Sequence, residues 1–505
     1  MKKKHTTQSA FLNLCILLGL PVMFGGIALA LFAGTDPQSF TRDMTRNRNA
    51  PIPRADRGPV TPAGTVQEAW VARYNGPGNL DDEATAVAVD DSGNVYVTGF
   101  SYDANTDYDY ATIKYNAAGQ QQWIARYNGP DNYGDKAAAM AIDPAGNVYV
   151  TGWSSNAGSL DYATIKYNSD GQQQWVARYN GPDNSSDEAT AIALDGSGNV
   201  YVTGFSWGSK TASDYATVKY DSAGQEQWVL RYDGPASYTD EATALAVDGT
   251  GNVYVTGGSY GFGFNYDYAT IKYNAAGQQQ WVARYDGPIN SDDEATGIVL
   301  DASGNVYVTG YSTGSAGYDY ATINYDAFGQ QQWVSRYDGA AHSVDYASAI
   351  AIDGSGNVYV TGYSGGSSTD SDYATIRYDA SGQQQWVARY DGPISSADEA
   401  TAIALDASGN IYVTGYSYGS NGTWDYATVK YDSGGQQQWV SRYDGTGNYN
   451  DYANGIAVDG AGNVYVTGAS YGSLDISWDY ATTKYVQNQR PTMTPRPRPA
   501  PAPRP

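Results

Sequence analysis

An all-β, eight-bladed β-propeller of four-stranded antiparallel blades is the fold the sequence predicts, and three observations predict it. The chain repeats itself every 52 or 53 residues, counted between Trp70, Trp123, Trp175, Trp228, Trp281, Trp333, Trp386 and Trp439. Four short phrases recur in fixed order within each period. Each is rich in Val, Ile, Thr, Tyr or Trp and bounded by Gly, Asp, Asn or Ser, the pattern of strands joined by tight turns. The repeat is also cut mid-unit: residues 66–74 supply only the last phrase, and Asp479–Tyr485 supply the third with no fourth after it. The two ends complete one blade together, which closes the ring and leaves no unpaired outer strand at the junction. Four strands in about fifty residues, repeated four to eight times, is the propeller pattern. A helical solenoid needs apolar residues three and four apart over ten or more positions, and no unit has such a window.

From the inside outward, strand A is "EATAIAL", strand B "NVYVTG", strand C "DYATIKY" and strand D "QQWVARY". Between A and B stands "Asp-x-Ser-Gly-Asn", as in Asp301–Asn305. It lacks the alternating oxygen ligands and terminal Glu of an EF-hand, so it reads as a Gly-containing hairpin turn rather than a calcium loop. In the C–D hairpin, Asn116-Ala117-Ala118-Gly119 forms a four-residue turn, with Gly119 free to adopt positive φ. Tyr115 then faces Gln120, Ile113 faces Gln122 and Asp109 faces Arg126. Such an opposite-charge cross-strand pair contributes roughly 0.2–1 kcal/mol. The same separation gives Asp161–Arg178, Asp214–Arg231, Asp267–Arg284, Asp319–Arg336, Asp372–Arg389 and Asp425–Arg442, with Asp479 left for Arg73 across the closure. These charges read as structural. The strand-D Trp is placed to join blade to blade, burying about 150–250 Å², or roughly 4–6 kcal/mol before entropy is subtracted.

The chain divides into a leader (1–34), a Pro- and Arg-containing linker (35–66), the propeller (67–485) and a Pro/Arg-rich tail (486–505). Lys2, Lys3 and Lys4 precede an apolar stretch from Phe11 to Ala33, which sends the chain across a membrane. Ala28-Leu29-Ala30 offers a cleavage site, yet the stretch is also long enough to stay as an anchor; either way the propeller is expected outside, extracellular, at the cell surface or in the periplasm. Leu14 is bulky where a lipoprotein box before Cys15 needs a small residue. Cys15 is the sole cysteine, so the propeller carries neither a disulfide framework nor a cysteine metal site. The propeller holds 17 basic and 50 acidic residues, a balance of −33 beside −24 for the whole chain. Such a body repels nucleic acid and anionic lipid.

The units, above all "DASGNVYVTGYS" and "DYATIKYDSGGQQQWVARYDG", resemble the bacterial SBBP-type beta-propeller repeat over residues 67–485. That resemblance implies the architecture and a secreted or surface location, with no single established activity. "Asn-x-x-Gly-Gln-Gln-Gln-Trp" is also similar to the tryptophan-docking motif of quinoprotein propellers, whose non-enzymatic relatives scaffold outer-membrane assembly. This second similarity covers only the C–D hairpins. The vicinal cysteine pair and long inserted loops of the quinoprotein dehydrogenases are missing, and no cofactor is expected.

The A–B and C–D turns share one face and are nearly uniform between units. On the other face the B–C connections vary, from "SYDANTDY" and "SWGSKTAS" to "SYGFGFNY" and "SYGSLDISW", as do the D–A connections "GNLD", "DNYG", "AAHSV" and "TGNYN". Loops on a rigid scaffold are where binding usually resides. The candidate ligand-binding residues there are Trp153, Trp207, Tyr260, Phe262, Phe264, Trp424 and Trp478, with Tyr266 beside them; aromatic platforms among short polar groups suit sugars or protein surfaces. A second ring, Asp82, Asp135, Asp187, Asp240, Asp293, Asp345, Asp398 and Asp451, begins strand A on the same face. Hydrogen bonding to the adjoining backbone is favoured for it over attraction of a cation or basic partner. His342 is the one His outside the leader and reads as an ordinary loop residue without a partner. No Ser-His-Asp set, metal-ligand spacing or phosphate-cradling loop appears. The expected function is a monomeric, non-enzymatic scaffold binding a protein or carbohydrate. The alternative is a carbohydrate-active hydrolase or lyase, since paired carboxylates are abundant.

Overall fold

Each set of four phrases folds as a four-stranded antiparallel sheet in the order A–B–C–D. The computed structural model describes residues 66–156, 158–208, 212–366, 370–472 and 477–487, and within them it contains 32 strands in eight such sheets. The leader, most of the linker, Cys15 and the tail from residue 488 lie outside the described residues. Seven blades are continuous in sequence and are numbered 1 to 7 in chain order, Asp82–Tyr127, Asp135–Tyr179, Asp187–Tyr232, Asp240–Tyr285, Asp293–Tyr337, Asp345–Tyr390 and Asp398–Tyr443. The eighth combines strand D at Val66–Tyr74 with strands A, B and C at Asp451–Val458, Val464–Tyr471 and Trp478–Gln487. The N-terminal strand thus closes the ring on the C-terminal one, with Trp70 opposite Lys484 and Tyr74 opposite Tyr480.

The core consists of eight slabs, each drawn from two neighbouring blades. In one, Tyr149 and Tyr162 of blade 2 pack on Val200, Val202, Ala216 and Val218 of blade 3. Val at the first and third positions of strand B is fully buried in almost every blade, worth roughly 1.5–3 kcal/mol per side chain. Polar ties cross the same slabs. Every Tyr of the "DYAT" phrase donates its hydroxyl to the Ala carbonyl of that phrase in the next blade, from Tyr110 to Ala163 round to Tyr480 to Ala111, at 3.1–3.2 Å. Around the channel a bulge at the fourth strand-A position turns its side chain toward the neighbour. Thr85 donates to Ala137 O, Thr243 to Ala295 O, and Asn454 to Ala84 O across the closure.

The repeated Gly-Gln-Gln-Gln-Trp phrase acts between blades. The Trp70 indole N–H donates to Ala117 O in the C–D turn of the next blade, and Trp123 does the same to Ser169 O. Gly119 in that turn has φ +79, and a Cβ there would come within 2.6 Å of the Trp70 indole. The indoles are only half-buried, Trp439 excepted, so each removes less area from water than the sequence implied. Trp439 faces the closure, where no C–D turn follows, and its N–H has no partner among the described residues.

The predicted C–D register needs correction. Tyr115 pairs with Gln121, Lys114 with Trp123 and Ala111 with Arg126, because a bulge at Gln122 intervenes. Asp109 is therefore diagonal to Arg126 rather than opposite it, yet all eight predicted Asp–Arg pairs form, at 2.7–3.2 Å. The long guanidinium spans the two-residue offset. It also reaches the preceding blade: Arg126 Nη1 donates to Tyr74 OH and Ser101 Oγ, and Nη2 to Ser101 O and Asp109.

Candidate binding face

The A–B and C–D turns cap one face of the ring, and their carboxylates serve the turns themselves. Asp301 accepts from the Ser303 and Asn305 backbone N–H groups, the Asn305 side chain and the Tyr307 hydroxyl, which uses both oxygens for the hairpin. The channel between the A strands, about 1530 Å³, is lined mainly by aliphatic ends of those strands such as Val87, Met140, Ile192, Leu300 and Ile403.

On the opposite, variable face the candidate aromatics separate into two groups. Phe262 (79% exposed), Phe264 (71%) and Trp207 (41%) stand out to solvent. Phe264 is held at φ +61, and Asn265 beneath it is buried and donates to Ser291 O. The other four are half-buried and packed. Trp153 lies on strand B opposite Lys136. Tyr260 meets Tyr266 edge-on at 5.2 Å. Trp424 sits against Tyr416 and Tyr418 at 5.1 and 5.4 Å, and Trp478 against Tyr471 and Tyr452 at 5.2 and 5.3 Å. The structure brings Tyr238 to the first group, 6.4 Å from Phe264 and 5.4 Å from Tyr260. Tyr238, Tyr133 and Tyr449, all in D–A connections and all exposed, were missed in the sequence. An aromatic at one position of three D–A loops was the available signal.

The ring of strand-A aspartates is buried, so it does not line an open acidic mouth. Each takes the backbone N–H of the loop glycine six residues earlier, Gly76 for Asp82 and Gly445 for Asp451, at 2.6–2.8 Å. Burial pushes Asp82, Asp135, Asp240, Asp293, Asp398 and Asp451 up to about 6, against the pull of that N–H and a strand-B Ser. In five junctions a loop Asp joins them, as in Asp214–Asp233–Asp240, with three carboxylate oxygens within 4.8 Å. The strand-C member of each trio is already paired with the blade's Arg. In the other three junctions that loop position is Asn75, Asn128 or Asn180. His342 does have a partner, contrary to the sequence reading: its Nδ1 lies 2.6 Å from Asp338 Oδ2, which raises its pKa. The pair is largely exposed and takes the place of the Asn128–Asn132 contact of an earlier loop.

The family described as SBBP, beta-propeller repeat, matches eight times, at residues 69–105, 122–158, 174–209, 227–265, 280–317, 332–368, 385–423 and 438–475. The chain belongs to the SBBP beta-propeller repeat family. Each match runs from a strand-D Trp through strands A and B of the next blade, in phase with the structure. The SBBP chain is 34% identical over 116 residues to "Regulatory protein FlaEY" of Caulobacter vibrioides, a stretch that covers 20% of this chain and 12% of that protein. Among solved structures it is similar to Sqt1 of Chaetomium thermophilum, with a TM-score of 0.53 and 12% identity over 82% of this chain and 98% of that one. It is also similar to Sqt1 bound to the N-terminus of ribosomal protein L10, with a TM-score of 0.52 and 11% identity over 82% and 99% of the two chains. At such identities the likeness shows the fold.

Proposed function

We propose that this chain is a non-enzymatic binding scaffold, secreted or tethered at the cell surface, that takes a protein or carbohydrate partner on its B–C and D–A loop face. One observation carries the reading. Of the twelve large hydrophobic side chains exposed among the described residues, ten lie on that face, nine in its loops and Trp207 at the end of a strand B; only Ile124 and Phe328 lie elsewhere. Exposed apolar residues gathered on one side of a rigid ring mark an interaction surface more strongly than scattered ones do. Blades 3 and 4 hold the densest group, Trp207, Tyr238, Phe262 and Phe264.

The test is capture from matched polysaccharide and envelope-protein fractions by the full chain and by a W207S/Y238S/F262S/F264S variant. Retention by the parent and loss in a variant with unchanged circular dichroism supports the reading. Equal retention by both removes it.

One observation favours the second reading, a carbohydrate hydrolase or lyase. Glu241 and Glu294 interact at the channel mouth in unlike surroundings: Glu294 accepts from Tyr311 OH at 2.6 Å, whereas burial and the charges of Glu294 and Glu188 push Glu241 up to about 7. Unlike carboxylates are the raw material of acid–base chemistry. Released product that disappears in both Glu241→Gln and Glu294→Gln would support it.

A further inference from the structure

The second residue of strand A breaks the repeat. Round the ring it reads Glu83, Lys136, Glu188, Glu241, Glu294, Tyr346, Glu399 and Tyr452, all half-buried at the variable-face end of the channel. Their neighbours show what this tier accepts. Lys136 of blade 2 lies over two rings of blade 1, its Nζ 4.0 Å from the centre of Phe100 and 4.4 Å from that of Tyr108, with Glu83 as its first electrostatic partner, then Asp107 and Asp81, then Glu188. In blades 6 and 8 a tyrosine fills the equivalent seat, Tyr346 stacked on Tyr311 at 4.5 Å and Tyr452 against Tyr416 at 4.9 Å. Three of the glutamates are held by neighbours: Glu83 accepts from Asn454, Glu294 from Tyr311 and Glu399 from Tyr416.

Glu188 and Glu241 are not held in this way. Neither takes a side-chain hydrogen bond among the described residues, and they stand side by side with Glu294 next in line. Opposite Glu241, strand B carries Gly258 where most other blades have an aromatic ring. The rings of Phe205, Tyr266 and Tyr311 come from the strands around this arc. Here the position equivalent to Lys136 is itself a glutamate, Glu294 lying against Gly258 and the Tyr266 ring, so the arc gathers aromatic faces and carboxylates with no ammonium among the described residues beyond Lys136 at its Glu188 end. One cation for five carboxylates leaves the deficit here.

We propose that the arc of Glu188, Glu241 and Glu294 receives a lysine or arginine side chain from a basic segment of a protein partner. The inference rests on the binding reading above and narrows it to a partner chemistry. A cation over an aromatic face and beside desolvated carboxylates gains from both. The −33 balance of the propeller steers a basic partner inward.

The test titrates the full chain with hexalysine, with fully acetylated hexalysine as control. Compared with it are E188Q/E241Q and a D91N/D170N pair, which removes the same charge from exposed turns of the other face. The expected result is binding weakened about tenfold or more in E188Q/E241Q, about twofold or less in D91N/D170N, and absent for the acetylated peptide. Equal weakening in both pairs would mean diffuse attraction and overturns the proposal, as does undiminished binding by E188Q/E241Q. Thermal stabilisation by calcium that is lost in E188Q/E241Q makes the arc a metal site and overturns it too. Gln is isosteric and relieves repulsion between neighbours, so both variants are expected to fold; melting curves check this. A natural partner captured through the loop aromatics but indifferent to E188Q/E241Q leaves the binding face standing and removes only the cation seat.

Discussion

At the residue scale the repeated phrase resolves into a seat and its occupant. Gly119 supplies a positive φ and a surface without Cβ, and the Trp70 indole of the preceding blade lies on it while bonding the adjoining Ala117 carbonyl. Gly119→Ala is expected to cost about 2 kcal/mol, from the left-handed φ and from displacing the ring. Urea unfolding of this variant beside a Gly→Ala change at Gly196, where a Cβ meets nothing within 4 Å, separates the seat from a generic loss of glycine. The turn glycine was legible because only Gly meets that φ cheaply. The register was not. Three successive Gln residues give no alternation to set which of them bulges, and the sequence reading ran the hairpin straight through Gln122. The Asp–Arg pairing survived that error because a seventeen-residue separation places the charges within guanidinium reach in either register.

At the element scale the blades are joined by side chains that each leave one strand for the next blade's backbone. Blade 2 lacks one of these ties: the bulge position that is Thr in most blades is Ala138. Ala138→Thr places a hydroxyl where its counterparts Thr85 and Thr190 reach the next strand A, and a net gain of about 0.5–1 kcal/mol is expected. A melting temperature at or below the parent's would show that the blade 2–3 contact differs from the others. The strands themselves were readable because each phrase recurs in phase. The glutamate arc was not, since its members are some fifty residues apart and meet only when strands A line the channel. The one trace in the sequence was the phrase "DEAT" turning into "DKAA", "DYAS" and "DYAN" in three units.

At the scale of the whole molecule the buried aspartates set an unusual response to pH. Asp82, Asp135, Asp240, Asp293, Asp398 and Asp451 are raised from 3.8 to about 6 by burial. A carboxyl raised on folding stabilises the fold fully below its unfolded pKa, and the contribution is lost as pH rises through the folded value. The turn aspartates Asp195, Asp248, Asp353 and Asp406 are lowered by their hydrogen bonds despite some burial, so their contribution is lost only as pH falls below about 4. Stability should therefore peak near pH 4–5 and decline toward neutrality. An effective shift of only half a unit at six sites amounts to about 4 kcal/mol. A melting temperature lower by about 5 °C at pH 8 than at pH 5 is expected, and a higher one at pH 8 would contradict the assignment.

The closure has a further consequence for how the molecule is displayed. Val66 and Gln487 pair side by side, and Gln487 donates to Gly462 O in an A–B turn, so both attachment points share the uniform face. A support that grips the propeller at Val66 or Gln487, such as a sensor surface, meets the uniform face and leaves Phe262 and Phe264 turned away from it, free to meet a second molecule.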